Sequence, residues 1–259
     1  MEKIIKNYLK KSHYFQEDNK KSQIVLHHTV STGWKSPFKW WSRIGNHVCT
    51  AYIIDKDGSI YECFNPKYWA YHTGLGSKFD KYNIGIEIVN EGHLNCIDED
   101  KGKFKWFDGK YKYKYKIGGE PVKLTKKWRG YNYFAKYTEN QIKSTFELVN
   151  KLCNDFNIEK MIAPKHIFNK NFKNFKGIIS HANVSKIKTD ISPLFPIEKL
   201  DEYLEEHKVS IPNLEDPTLI ISDLKKENTL TKYHLKVKKT NWIKSLVDII
   251  FNFFIIKKK

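Results

Sequence analysis

Short apolar runs along the chain predict a set of buried strands. Residues 23–28 (QIVLHH) and 177–180 (GIIS) are brief, rich in β-branched residues, and typical of strands covered on both faces. In residues 83–89 (NIGIEIV) three isoleucines alternate with other residues. Because successive strand residues point to opposite faces, Glu87 is expected on the face opposite those isoleucines.

A hairpin is predicted between residues 48 and 64 (VCTAYIIDKDGSIYECF). Two β-rich runs there lie on either side of Asp57 and Gly58. The Asp-Gly pair is favoured in tight turns that need positive φ angles, so the two runs should form antiparallel neighbours.

Helical spacing appears in two later segments. Thr138 and Gln141 form the Thr-x-x-Gln pattern of a capping box. The apolar residues that follow are three or four positions apart and form one stripe suited to covering a sheet. The stripe consists of Ile142, Phe146, Val149, Cys153 and Phe156. A second helix is predicted to begin at Pro196, since proline is favoured in the first turn.

Three segments differ from these elements in their residue composition. Residues 1–22 are polar and lysine-rich and are interpreted as an N-terminal arm. Residues 95–137 form an insertion that alternates lysine with aromatic residues, typical of a solvated hairpin or of a ribbon that contacts substrate or anions. Residues 206–259 are predicted to be a C-terminal extension. Its residues 241–257 are predicted to form an amphipathic helix that would lie on an anionic membrane or pack on protein.

The net charge of +17 points to a polyanionic partner such as nucleic acid, anionic lipid or cell-wall polymer. Only Arg43 and Arg129 are arginines. Proteins that recognise nucleic acid usually favour arginine, because its guanidinium group can donate two parallel hydrogen bonds to a phosphate or a base. We therefore expect no specific nucleic-acid partner. The lysine excess is equally typical of an AT-rich genome.

The cysteines and the N-terminus bear on the cellular compartment. No cysteine pair has the spacing of a zinc knuckle or a redox motif, so reduced, mostly buried thiols are expected. They are Cys49, Cys63, Cys96 and Cys153. The first residues are too rich in lysine for a secretory signal, so synthesis in a cytoplasm is expected.

Candidate chemistry gathers at the ends of the predicted strands. His27 and His181 each end or follow a buried strand, and Asp190 comes nine residues after His181. Two histidines and a carboxylate are a common ligand set for catalytic zinc. Lys188 could stabilise a developing oxyanion, and Glu87 could accept a proton from water. Taken singly, each residue is as readily structural or solvated.

Five motifs in order resemble the zinc-dependent N-acetylmuramoyl-L-alanine amidase family. The resemblance runs from about Gln23 to Leu204, with residues 95–137 as a poorly matching insertion. It implies an α/β fold in which a central mixed sheet is flanked by helices, and a zinc amidase domain over residues 23–205. The motifs are IVLHHTVS, AYIIDKDGSIYECF, WAYHTG, NIGIEIVNEG and SHANVSKIKTDISPLFP.

The resemblance also assigns roles to individual residues. It implies that Zn²⁺ is bound by three of them, namely His27, His181 and Asp190. Glu87 matches the general base of the anhydromuropeptide amidase branch, and Lys188 matches the lysine that assists catalysis. The histidine of the Trp-x-x-His-x-Gly segment lines the substrate cleft in the family. Substrate contact is accordingly expected from His72, Trp69 and Thr50.

Two departures from the family pattern bear on these roles. Thr50 stands where the phage lysozyme branch has a catalytic tyrosine, so Glu87 is the expected base. The loop from His181 to Asp190 reads NVSKI where the family usually has Pro-Gly. The function expected is cleavage of the amide between N-acetylmuramic acid and L-alanine in peptidoglycan or a muropeptide.

The alternative is a module of the same fold that binds peptidoglycan without cutting it. Some relatives of that kind have lost a metal ligand, whereas all three candidates are present here. A phage lysis enzyme or a wall-remodelling enzyme acting at the cell wall fits the enzymatic expectation. Because Glu87 and Lys188 are present as well, the sequence favours the enzyme over the binding module.

Overall fold

The computed structural model describes residues 4–43, 45, 47–106 and 119–207. The predicted amphipathic helix at 241–257, and nearly all of the predicted C-terminal extension, lie outside these residues. Within them, no helix combines the length and apolarity needed to cross a membrane.

The fold is α/β, with a mixed six-stranded sheet at its centre. The three strands at one end of this sheet are all parallel, and the predicted hairpin forms an antiparallel pair beside them. In chain order its strands are β1 (Ile4–Lys6), β2 (Gln23–His28), β3 (Tyr52–Ile54), β4 (Ile60–Glu62), β5 (Asn83–Ile88) and β10 (Gly177–Ser180). Their spatial order is β1-β4-β3-β5-β2-β10.

Helices cover both faces of the sheet, and this explains why its middle strands read as continuous apolar runs. The larger core places isoleucines of β2 and β5 against two long helices, and the smaller core lies on the opposite face around Val25 and Ile179. The helices are α1 (Lys35–Trp41), α2 (Ser77–Asp80), α3 (Glu139–Phe156), α4 (His181–Val184) and α5 (Ile197–Glu206).

The predicted capping box at the start of α3 is confirmed. Thr138 Oγ1 accepts a hydrogen bond from Gln141 N at 3.1 Å, and Gln141 Oε1 accepts one from Thr138 N at 3.0 Å. Thr138 Oγ1 also donates to Lys56 O at 2.6 Å, which ties the helix to the turn of the β3–β4 hairpin.

The N-terminal segment is not a separate arm, and in this respect the sequence interpretation was wrong. Its strand β1 pairs in parallel with β4 and forms one edge of the sheet. Leu9 and Tyr14 belong to the larger core. β1 is only three residues long, and a very short edge strand is one way in which proteins protect the edge of a sheet.

The described residues of the predicted insertion belong to a second, four-stranded sheet. It has a small core of its own, built around Leu94, Phe104 and Trp106. All four cysteines are free thiols, and only Cys96 on this sheet is exposed. The strands of the insertion sheet are β6 (His93–Asp98), β7 (Lys103–Lys105), β8 (Pro121–Trp128) and β9 (Tyr131–Ala135). Their spatial order is β7-β6-β9-β8.

Candidate active site

Three parallel strands bring the candidate residues to one edge of the central sheet. His27 and Glu87 are register partners near the carboxyl ends of β2 and β5. His181 follows β10 directly and is the first residue of α4. Carboxyl ends of parallel strands share one sheet edge, so residues distant in sequence converge there.

His27, His181 and Asp190 are all buried, and their potential ligand atoms lie within 4.8 Å of one another. A single carboxylate oxygen, Asp190 Oδ2, is 2.9 Å from Nδ1 of His27 and 2.9 Å from Nδ1 of His181. The structure thus assembles the three residues that the sequence singled out as metal ligands.

Hydrogen bonds behind His27 determine which of its ring nitrogens carries the proton. Asn83 Nδ2 donates to Phe79 O at 3.0 Å, which directs Asn83 Oδ1 toward His72 Nε2 at 2.6 Å. His72 Nε2 is therefore the protonated nitrogen, and His72 Nδ1 accepts from His27 Nε2 at 2.9 Å. In a neutral His27 ring this leaves Nδ1 unprotonated, facing Asp190.

His181 is oriented in the same way by a backbone carbonyl. Its Nε2 lies 2.9 Å from Thr73 O, which can only accept a hydrogen bond, so Nε2 is protonated. In a neutral ring, His181 Nδ1 is then bare and faces Asp190. A metal-binding histidine typically donates a hydrogen bond from its second ring N–H to such a carbonyl.

The charges at this point favour a bound cation. Burial lowers the pKa of His27 and of His72 to about 3, so both rings are neutral near pH 7. Burial acts to raise the pKa of Asp190, but charge and hydrogen bonding from His181 and His27, when their rings carry a proton toward it, hold that pKa well below its ordinary value. A carboxylate that attracts positive charge in this way also attracts a metal cation, which takes the place of the ring protons. The donor set therefore fits a divalent metal.

Glu87 lies beside this cluster on β5. The side chain is half-buried, and its Oε2 atom is enclosed with no hydrogen-bond partner among the described residues. Burial raises the pKa of Glu87 well above its ordinary value, and the negative charge of Asp190 adds to the rise while Lys188 opposes it. An enclosed carboxylate without a partner is a natural acceptor for a proton from water.

These residues line one cavity of about 370 Å³. Lys188 is exposed and forms part of the cavity wall. His72, which was predicted to contact substrate, also lines the cavity. The insertion sheet contributes two more wall residues that the sequence reading missed, His93 and Tyr131, whose rings stack with centroids 3.7 Å apart. The one sequence signal for these residues was the alternation of lysine with aromatic residues in the insertion, which is typical of a ribbon that contacts substrate.

Two of the residues expected to contact substrate do not reach the cavity. Trp69 is 3% exposed, because Phe15 stacks on its ring at 4.0 Å and Glu17 accepts a hydrogen bond from its Nε1. Thr50 is 1% exposed, and its hydroxyl donates to Tyr52 O at 2.9 Å. Both side chains are covered by the fold, so direct contact with substrate is excluded in this conformation.

Comparison with known proteins gives one family and several similar folds. The family model for N-acetylmuramoyl-L-alanine amidase matches residues 17–193. Among solved structures, the N-acetylmuramoyl-L-alanine amidase LysC from Clostridium intestinale is similar with 16% identity and a TM-score of 0.48, over 79% of this chain and 99% of its own. No curated protein matches the chain.

Two further solved structures are similar at the same level. The Staphylococcus aureus hydrolase AmiA, in complex with its ligand, has 12% identity and a TM-score of 0.48, over 79% of this chain and 82% of its own. The E. coli amidase AmiD has 17% identity and a TM-score of 0.45, over 73% of this chain and 59% of its own. The AmiD structure holds the substrate anhydro-N-acetylmuramic acid-L-Ala-D-gamma-Glu-L-Lys.

Proposed function

This chain belongs to the N-acetylmuramoyl-L-alanine amidase family, and from that membership we propose that it is a zinc-dependent peptidoglycan hydrolase. The bond cleaved is the amide between N-acetylmuramic acid and the L-alanine of the stem peptide. One observation carries the proposal. His27, His181 and Asp190 converge, with potential ligand atoms within 4.8 Å of one another, beside an enclosed glutamate in a cavity.

In this proposal His27, His181 and Asp190 hold the zinc ion. Bound zinc would act as a Lewis acid on the amide carbonyl and would make water more acidic. Two histidines and one carboxylate leave a coordination position open, as a catalytic zinc requires. The hydrogen bonds that His27 donates to His72 Nδ1 and that His181 donates to Thr73 O keep the two ligand rings in the required tautomers.

Glu87 and Lys188 carry out the remaining steps. Glu87 accepts a proton from the attacking water, and its raised pKa suits it to hold that proton. It then delivers the proton to the departing amino group of L-alanine. The Lys188 ammonium group stabilises the negative charge that develops on the carbonyl oxygen.

The remaining cavity wall binds the substrate. We propose that the stacked rings of Tyr131 and His93 form an apolar surface for the muramic acid ring or the first stem residues. The lysine-rich surface concentrates the enzyme at an anionic cell wall. Membrane contact through residues 241–257 stays a prediction that the described residues do not address.

The decisive experiment measures metal content and stem-peptide release from purified peptidoglycan on the same protein samples. We expect about one zinc per chain in the wild type, with peptide release. His181→Ala should lose both, while Glu87→Gln should keep the metal and lose release by about 10²- to 10⁴-fold. His207→Ala, an exposed histidine at the end of α5, is the matched control and should match the wild type.

Other outcomes would contradict the proposal. Metal-free wild-type protein that binds sacculi without releasing peptide would identify a binding module. Normal release by Glu87→Gln would remove Glu87 from its assigned role while leaving the zinc site standing.

A further inference from the structure

The turn between β8 and β9 in the insertion sheet reaches the loop that carries three of the candidate site residues. It consists of only Arg129 and Gly130, both with positive φ angles, 48° and 89°. Trp128 and Tyr131 are register partners on either side of it. Two positive φ angles are typical of a type I′ hairpin turn, which holds its residues rigidly on the sheet.

From this turn the Arg129 guanidinium donates two hydrogen bonds to backbone carbonyls of the site loop. Nη2 donates to Ala182 O at 2.9 Å, and Nη1 donates to Lys188 O. Ala182 follows His181 directly, and Lys188 precedes Asp190 by two residues. One side chain thus joins the two ends of the loop between the candidate ligands.

Among the described residues, few other contacts hold the outer side of this loop, one of them being Lys186 Nζ over the Phe168 ring at 5.3 Å. Residues 185–189 lack regular secondary structure, and Ile187 is 85% exposed, so apolar packing contributes little there. Its closing hydrogen bond, from Ala182 N to Asp190 O at 2.6 Å, lies at the base. The position of Lys188 therefore depends on the bond from Arg129.

Neighbouring rings hold the arginine itself in place. The guanidinium carbon lies 4.9 Å from the centroid of the Trp128 ring, and that ring packs on His166 at 4.8 Å. His166 belongs to the segment preceding β10. The planar guanidinium group of an arginine can donate to two carbonyls while it is stacked on an indole ring, and the ammonium group of a lysine cannot.

We propose that Arg129 is a positioning residue, through which the insertion sheet holds the loop 181–190 in its active geometry. The inference rests on the proposed amidase function of this site. Arg129 does not touch the reacting atoms. It fixes the carbonyls of Ala182 and Lys188, and through them the placement of Lys188 and Asp190. The insertion is then a working part of the active site.

The test uses the full chain and the variant Arg129→Asn. Asparagine followed by glycine is favoured in a type I′ turn, so this variant keeps the hairpin and removes only the guanidinium. Arg129→Lys keeps the charge without the fork, and Arg43→Asn, at an exposed arginine after α1, is the matched control.

Three measurements are compared among these proteins. In Arg129→Asn we expect faster amide hydrogen exchange across residues 185–190 and weaker zinc binding. We also expect kcat to fall about 10- to 100-fold, with KM within about twofold. Millimolar guanidinium, but not urea, should restore part of kcat in Arg129→Asn, and Arg129→Lys should recover less than half of the loss. Arg43→Asn should behave as the wild type.

The proposal is overturned if Arg129→Asn matches the wild type in loop exchange and zinc affinity, or if its losses appear equally in Arg43→Asn. Loss of activity with unchanged loop exchange and no response to guanidinium would also overturn it. If the wild type releases no stem peptide, the proposed function fails. Loop exchange and zinc affinity still decide the role of Arg129 in that case.

Discussion

His27 and His72 are joined by a hydrogen bond of 2.9 Å between Nε2 and Nδ1. Because Asn83 fixes the proton of His72 on Nε2, this bond requires a protonated Nε2 on His27 and leaves its Nδ1 free for a metal. His72 therefore has a role that its place in the cavity wall does not by itself indicate.

Replacing His72 with alanine should weaken zinc binding by about 10- to 100-fold, since removal of an outer partner of a metal ligand typically has that effect. Competition with a chromophoric chelator measures the affinity directly. His47→Ala is the control, because His47 stacks on Phe15 outside the cavity. Asn83→Leu should shift the affinity in the same direction. Equal zinc affinity in wild type and His72→Ala would contradict the tautomer argument.

Tyr131→Ala should raise KM for muropeptide by about 3- to 10-fold and leave kcat nearly unchanged, as expected for the loss of one aromatic contact used equally in ground and transition states. Tyr131→Phe keeps the ring and should resemble the wild type. Tyr82→Ala, at a tyrosine that is 50% exposed and outside the cavity wall, is the matched control. An unchanged KM would show that the Tyr131–His93 stack does not bind substrate.

The sequence predicted those parts of the fold whose signals are local. The parallel strands follow from their apolar runs, and the α3 cap follows from Thr138 and Gln141, three residues apart. His27, His181 and Asp190 were found because each lies next to a recognisable strand or within a family motif.

The remaining features depend on contacts between segments distant in the chain. The arm was misread because β1 is only three residues long and its pairing with β4 has no local signal. Trp69 was assigned to substrate from its family motif, and its burial was missed because Phe15, which covers it, lies 54 positions earlier. Arg129 meets Lys188 across 59 positions, and His72 meets His27 across 45, so neither contact leaves a periodic pattern.

Thr138→Ala should lower the free energy of unfolding by about 1–2 kcal/mol, because the N-cap of α3 then lacks its acceptor for Gln141 N. The same hydroxyl donates to Lys56 O, so that bond is lost as well. Urea unfolding gives the difference, and Thr138→Ser, which keeps the hydroxyl, should lose less than half as much. Equal destabilisation by both changes would place the effect in the methyl group instead.

Lys21 should make stability depend on pH. It is 1% exposed, and its Nζ donates to Tyr68 O at 2.7 Å and to Lys81 O at 2.8 Å. Burial lowers its pKa from 10.5 to about 7, and the charge of Asp18 opposes this only in part. Between those two pH values the unfolded chain binds more protons than the folded one, so Lys21 should make the folded state more stable as pH rises.

The clearest measurement is the difference in unfolding free energy between wild type and Lys21→Met, since titrations common to both cancel. This difference should shift in favour of wild type by up to about 1.4 kcal/mol per pH unit from pH 7 toward pH 10. Below pH 7 it should be flat, because Lys21 is then charged in both states. Lys20→Met, at the neighbouring lysine, should show no such slope. A constant difference for Lys21→Met would mean that the folded protein buries this lysine in its charged form.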